Sequence, residues 1–96
     1  MAIVKYNYLN AAKFLKALSH PTRLMIVNEL ASGKKCVNDI KELVQANQPN
    51  ISQHLSLLKL SGIVDSRQNG KMKCYFLKDE PMMRELFNNL KKNKLI

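Results

Sequence analysis

Apolar residues recur at helical spacing through Ala11, Phe14, Leu15 and Leu18, which predicts a first helix over Asn10 to Leu18. Ser19-His20-Pro21 interrupts it. Pro21 suits the first turn of a second helix, where its missing N–H has no intrahelical partner. That helix turns Leu24, Ile26, Val27 and Leu30 inward and is expected to stop near Gly33. Lys34 to Val37 reads as a brief strand. A third helix opens at Val37 or Asn38, with Asp39 in its first turn, where the helix dipole favours an acid. Ile40, Leu43 and Val44 form its predicted apolar face, and Gln45-Ala46-Asn47 a short turn. Asn47 is the expected N-cap of a fourth helix, with Pro49 in the first turn.

The fourth helix carries Ile51, Leu55 and Leu58 on one face, at spacing i, i+4, i+7. Its other face offers Gln48, Asn50, Ser52, Gln53, His54, Ser56 and Lys59, and Ser61-Gly62 ends it. Then the period changes. Ile63 to Arg67 and Met72 to Leu77 read as strands joined by Gln68-Asn69-Gly70-Lys71, and Asn-Gly is a strong hairpin signal. A last helix, roughly Pro81 to Lys92, sets Met82, Met83, Leu86, Phe87 and Leu90 along a broad apolar stripe. The expected fold is mainly α with a small β-hairpin wing: about five helices and two to three short strands. A helix, a tight turn and a polar-faced helix followed by a hairpin outline a winged helix-turn-helix. The expectation is one domain over residues 1–96, with terminal helices at about 8–18 and 81–92 forming a dimer interface.

Composition sharpens this. Ninety-six residues are near the lower limit for a self-sufficient core, so an apolar terminal helix is a candidate interface. Sixteen Lys and Arg against seven Asp and Glu leave a net charge of +9, and a symmetric dimer would carry twice that. Such an excess favours a polyanion as partner. Membrane insertion is not expected, because no apolar run approaches the roughly 20 residues of a spanning helix. Met1 to Asn10 lacks a signal-peptide pattern, so a cytoplasmic protein is expected. Cys36 and Cys74 are too few for a secreted disulfide framework, and a reducing compartment would keep them as thiols. An enzyme is disfavoured: the chain has no Gly-rich phosphate loop, no H-E-x-x-H and no paired-acid arrangement.

Double-stranded DNA is the partner these features suit best. A helix entering the major groove must offer short polar side chains to base edges. Gln48, Asn50, Ser52, Gln53 and His54 are of that kind, with Ser56 and Lys59 further along the same face. Arg67, Lys71 and Lys73 flank the hairpin tip, where a wing reaches the backbone or minor groove. Each feature alone is an ordinary solvated surface. Their common register points to one mechanism. A winged-helix module that binds protein is the competing class, but its face would usually show exposed aromatics and less one-sided charge.

The chain also resembles the ArsR–SmtB family of repressors. The resemblance is carried by Leu15-Lys16-Ala17-Leu18-Ser19-His20-Pro21-Thr22-Arg23-Leu24, by Gln48 to Leu58, by Gly62-Ile63-Val64 and by Tyr75-Phe76-Leu77, and it covers roughly residues 10–92. It implies a homodimer joined mainly by the first and last helices, binding a dyad-symmetric operator and repressing transcription until an inducer binds. Metal-sensing members carry a Cys-Val-Cys-Asp-Leu box at the third helix, where this chain has Cys36-Val37-Asn38-Asp39-Ile40, followed by Lys41. Its last helix offers Asp79, Glu80, Met82 and Asn89 but no His. His20 and His54 lie in the DNA-binding half, poorly placed for a joint site. A tetrahedral zinc site is therefore not expected.

In winged-helix folds the short strand before the third helix pairs with the wing's return strand. That would put Cys36 beside Cys74, with Cα atoms about 4.5–5.5 Å apart. Lys34, Lys35 and Lys73 would favour the thiolate. Three readings stay open: a dithiol switch answering oxidant or persulfide, a site for As(III) or another thiophilic ion, or two small core residues. The Met82, Met83 and Phe87 cluster reads as dimer interface rather than ligand pocket.

Overall fold

The computed structural model describes residues 6–44 and 50–96. The expected cap at Asn47, the turn before it, Pro49 and the candidate contact Gln48 lie outside the described residues. Helix α1 spans Tyr8–Leu18 and starts two residues earlier than its apolar pattern does. Asn7 sets that start: its side chain accepts from the Asn10 N–H at 2.9 Å, satisfying a donor that the first turn leaves free. Helix α2, Pro21–Leu30, is capped by His20, whose Nδ1 accepts from the Thr22 N–H at 3.1 Å. Its Ile26, Val27 and Leu30 are 0%, 0% and 1% exposed, and it packs on all the other main elements except the outer wing strand.

Strand β1 is only Lys35–Cys36, and helix α3, Val37–Leu43, follows without a break. Helix α4 is Ile51–Leu60. Asn50 stands at its N-cap, and the His54 N–H donates to the Asn50 carbonyl at 2.9 Å. Strands β2, Val64–Asn69, and β3, Met72–Leu77, form the hairpin, and α5, Glu80–Lys92, closes the chain. Asp79 caps α5 by accepting from the Met82 N–H at 3.1 Å.

The sheet is antiparallel in the order β1-β3-β2. Asn69 pairs with Met72, so the loop is Gly70-Lys71 alone, two residues shorter than expected. Gly70 has φ +64° at the first loop position, a conformation that costs a residue without Cβ little and that suits a type II′ hairpin.

Two apolar expectations change. Leu43 is 47% exposed instead of inward, since in so short a helix Ile40 and Val44 already fill the core side. Met83 and Phe87 are 2% and 3% exposed within the single chain, packed in its own core, so they are not part of a free stripe. Met82 is the member of that cluster left outward.

Ile51, Leu55 and Leu58 are all fully buried, which is what pins α4 to the body. Truncating Leu55 to Ala removes its buried side chain and leaves a cavity, so urea unfolding should show a loss of about 2–5 kcal/mol with an unchanged m-value.

Candidate nucleic-acid interface

The burial of that stripe decides what α4 shows to solvent. Asn50, Ser52, Gln53, Ser56 and Lys59 are all exposed, whereas His54 is half-buried. Lys59 is not a free cation: its Nζ donates to the Ser66 hydroxyl at 2.8 Å, tying the last turn of α4 to the wing. On the hairpin, Arg67, Lys71 and Lys73 are exposed. Arg67 lies 5.5 Å from the centre of the Phe76 ring, and the Lys73 ammonium 5.9 Å from that of Tyr75. These cation–π contacts hold two of the three charges along the strands of the wing. Lys71, in the loop, reaches furthest. One polar helix face and one basic hairpin therefore belong to a continuous, mutually braced unit.

His54 differs from its neighbours on α4. Its Nδ1 lies 3.2 Å from Nη1 of Arg23, and its ring packs against that of His20 with centroids 4.5 Å apart. A guanidinium can only donate, so Nδ1 must accept, which requires neutral His54 with its proton on Nε2. Arg23 also donates through Nε to the Ala17 carbonyl at 2.5 Å. One side chain of α2 thus joins the end of α1 to the exposed helix α4. Sequence reasoning took His54 as a DNA contact, set both histidines aside only as metal ligands, and did not select Arg23. The Ser19-His20-Pro21-Thr22-Arg23 run was visible, but nothing local links Arg23 to a residue 31 positions later.

Cys36 and Cys74 face each other across β1 and β3, as their strand assignment implies, and are joined by a disulfide with Cα atoms 3.8 Å apart. The structure therefore shows the oxidised pair where thiols were expected. Register alone brings them together. Cys74 is fully buried, while Cys36 is partly exposed at the cap of α3. Among the described residues, no group of three or more His, Cys, Asp or Glu is gathered to hold a metal ion, and no helix is long and apolar enough to cross a membrane.

Burial, then the neighbouring His20, then Arg23 hold the pKa of His54 below its ordinary 6.5. The unfolded chain therefore takes up this proton first. The contribution of neutral His54 to stability is complete above pH 6.5 and is lost as pH falls through the lower, folded-state value. Urea midpoints measured for the wild type and for His54→Gln should diverge below pH 6.5, with the wild type falling faster. Parallel pH profiles would contradict this.

The family model described as "Bacterial regulatory protein, arsR family" matches residues 20–66. An HTH-type transcriptional regulator of Methanocaldococcus jannaschii is 43% identical over 75 residues, which is 77% of this chain and 84% of that protein. The crystal structure of the transcriptional repressor BigR from Xylella fastidiosa superposes with a TM-score of 0.80 at 38% identity, covering 88% of this chain and 86% of that one. A homodimeric winged helix-turn-helix DNA-binding domain from Mycobacterium bovis gives a TM-score of 0.79 at 26% identity, covering 97% and 94%. With the sheet order and the helix order both in place, this chain belongs to the ArsR family of winged helix-turn-helix proteins, which are DNA-binding transcriptional regulators rather than enzymes.

Proposed function

We propose that the chain is a cytoplasmic, homodimeric repressor that reads a dyad-symmetric operator with α4 and answers a thiol-directed signal at Cys36 and Cys74. The observation that carries the reading is the exposure of Asn50, Ser52, Gln53 and Ser56 on a helix whose opposite face is wholly buried, next to the Arg67–Lys71–Lys73 hairpin. Gln53 is the base reader: its amide matches the two major-groove sites of adenine. Lys59 and the wing cations serve phosphates, with Asn50 at the leading end of the helix. His54 is a positioning residue, since its ring is occupied by Arg23 and His20. Two copies are needed for a dyad. The homodimeric Mycobacterium bovis domain supports that arrangement, and exposed Tyr8, Leu15 and Met82 on the terminal helices supply apolar surface for it.

The thiol reading rests on unequal exposure. Cys36 at the surface is the thiol a peroxide can reach, and buried Cys74 is the resolving partner. The Cys36 thiolate takes one oxygen from hydrogen peroxide, giving sulfenic acid and hydroxide. The Cys74 thiol then displaces that oxygen as water, forming the disulfide; two thiols are oxidised and one peroxide is reduced to two waters. The bond ties the start of α3 to the wing's return strand, so it changes the frame in which α4 and the wing meet DNA. As(III) would engage the same two thiolates.

Gln53→Ala should erase the preference for operator over random duplex by about 1–3 kcal/mol. Lys71→Ala should weaken both alike and reduce the slope of log K against log salt by about one. Reduced protein should bind operator at least fivefold more tightly than peroxide-treated protein, and Cys36→Ser should remove the difference. Competitive anisotropy on labelled duplexes measures all three. Equal affinity of the reduced and oxidised forms would sink the thiol switch and leave the operator reading intact.

A further inference from the structure

Where α1 crosses α4, the chain forms a cleft open to solvent, of about 570 Å³, within the range of about 300–1,000 Å³ usual for small-molecule sites. Its apolar wall is Phe14 from α1 with Leu57 and Leu60 from α4. The two leucines are 38% and 86% exposed, an apolar surface that the chain itself does not cover. Lys13, Lys16 and Arg23 stand around it, and no acid is among its lining residues.

On α1, the apolar residues assigned to the dimer surface point away from this cleft. Each helical residue turns about 100° from the last, so Tyr8 and Leu15 lie on one side of α1 while Phe14 and Ala17 lie on the other. The cleft faces the second side.

We propose that this cleft binds an organic anion with an apolar body, its carboxylate set against Lys13, Lys16 and Arg23 and its chain laid on Phe14, Leu57 and Leu60. Arg23 makes the site an effector site. Its guanidinium already serves the Ala17 carbonyl and His54, and a carboxylate is a stronger, bidentate acceptor than either. Occupancy withdraws Arg23 from His54 and loosens the tie between α2 and the exposed helix. The regulatory part of this inference rests on the repressor reading. The binding part does not.

The probe is decanoate, kept below micelle-forming concentrations and titrated calorimetrically into the full chain, with butyrate as the short control. Decanoate should bind in the micromolar range. Each of the six extra methylenes laid on the apolar wall should tighten binding roughly two- to fourfold, leaving butyrate at least about sixtyfold weaker. Lys13→Glu and Lys16→Glu alter exposed positions on α1, outside the DNA-facing set. Both should keep the far-UV spectrum and operator affinity and lower decanoate affinity at least about tenfold. Decanoate should release operator from the wild type and not from these variants. Undetectable decanoate binding, or equal binding by butyrate or by the variants, would overturn the site. If decanoate binds as described but the wild type shows no preference for any duplex, the site stands and the repressor reading falls.

Discussion

The rest of this fold is hung on α2. Ile26, Val27 and Leu30 are essentially without solvent contact, and the helix that carries them touches α1, α3, α4, α5 and β3. A helix surrounded in this way cannot keep one wide polar face, and its polar residues Thr22, Arg23, Asn28 and Glu29 are all buried or half-buried. Arg23 is the clearest case. It lies partly buried because the Ala17 carbonyl and the His54 ring satisfy its donors, so a charged side chain adds direction to a contact that apolar packing alone would leave free to slide.

The sheet has its own hub in β3, which pairs with both other strands. Its alternation separates two tasks. Cys74 is fully sealed and sits opposite both Cys36 and Arg67, while Lys73 and Met72 project to solvent near the tip. The wing is therefore firm along its strands, where Arg67 and Lys73 lie against aromatic rings, and free at Gly70-Lys71. Any covalent change at Cys74 acts on the firm part. That is the part through which Lys59 and Ser66 brace α4.

What the sequence made legible follows from what it encodes locally. The order of helices and strands, the buried stripe of α4, the hairpin and the facing cysteines all rest on short-range period or strand register, and those were readable. Boundaries set by capping were less so: Asn7 extends α1, and the Asn50 carbonyl starts α4, through single hydrogen bonds that no periodicity announces. Leu43 and Met83 show the same limit in packing. Both are apolar at helical spacing, yet one faces solvent and the other the core, because that choice depends on which neighbours have already filled the space. The Arg23–His54–His20 cluster was illegible for a stronger reason. It joins positions far apart in sequence whose residue types, taken singly, are ordinary surface residues.

The charge of the chain sets how a regulator built this way must let go. At +9 per protomer, attraction to any duplex phosphate backbone is large, and it is insensitive to small movements of one helix. Base readout is the opposite. In the proposed arrangement it rests on a few uncharged side chains on α4, whose hydrogen bonds weaken as donors and acceptors shift out of line. The signals proposed at Cys36 and at the α1–α4 cleft therefore need not expel the protein from DNA. It is enough to move α4 against the wing, so that the operator loses its advantage over the surrounding duplex and mass action redistributes the protein along it. In this arrangement the charged residues keep the repressor on DNA, and the packing of one helix decides where.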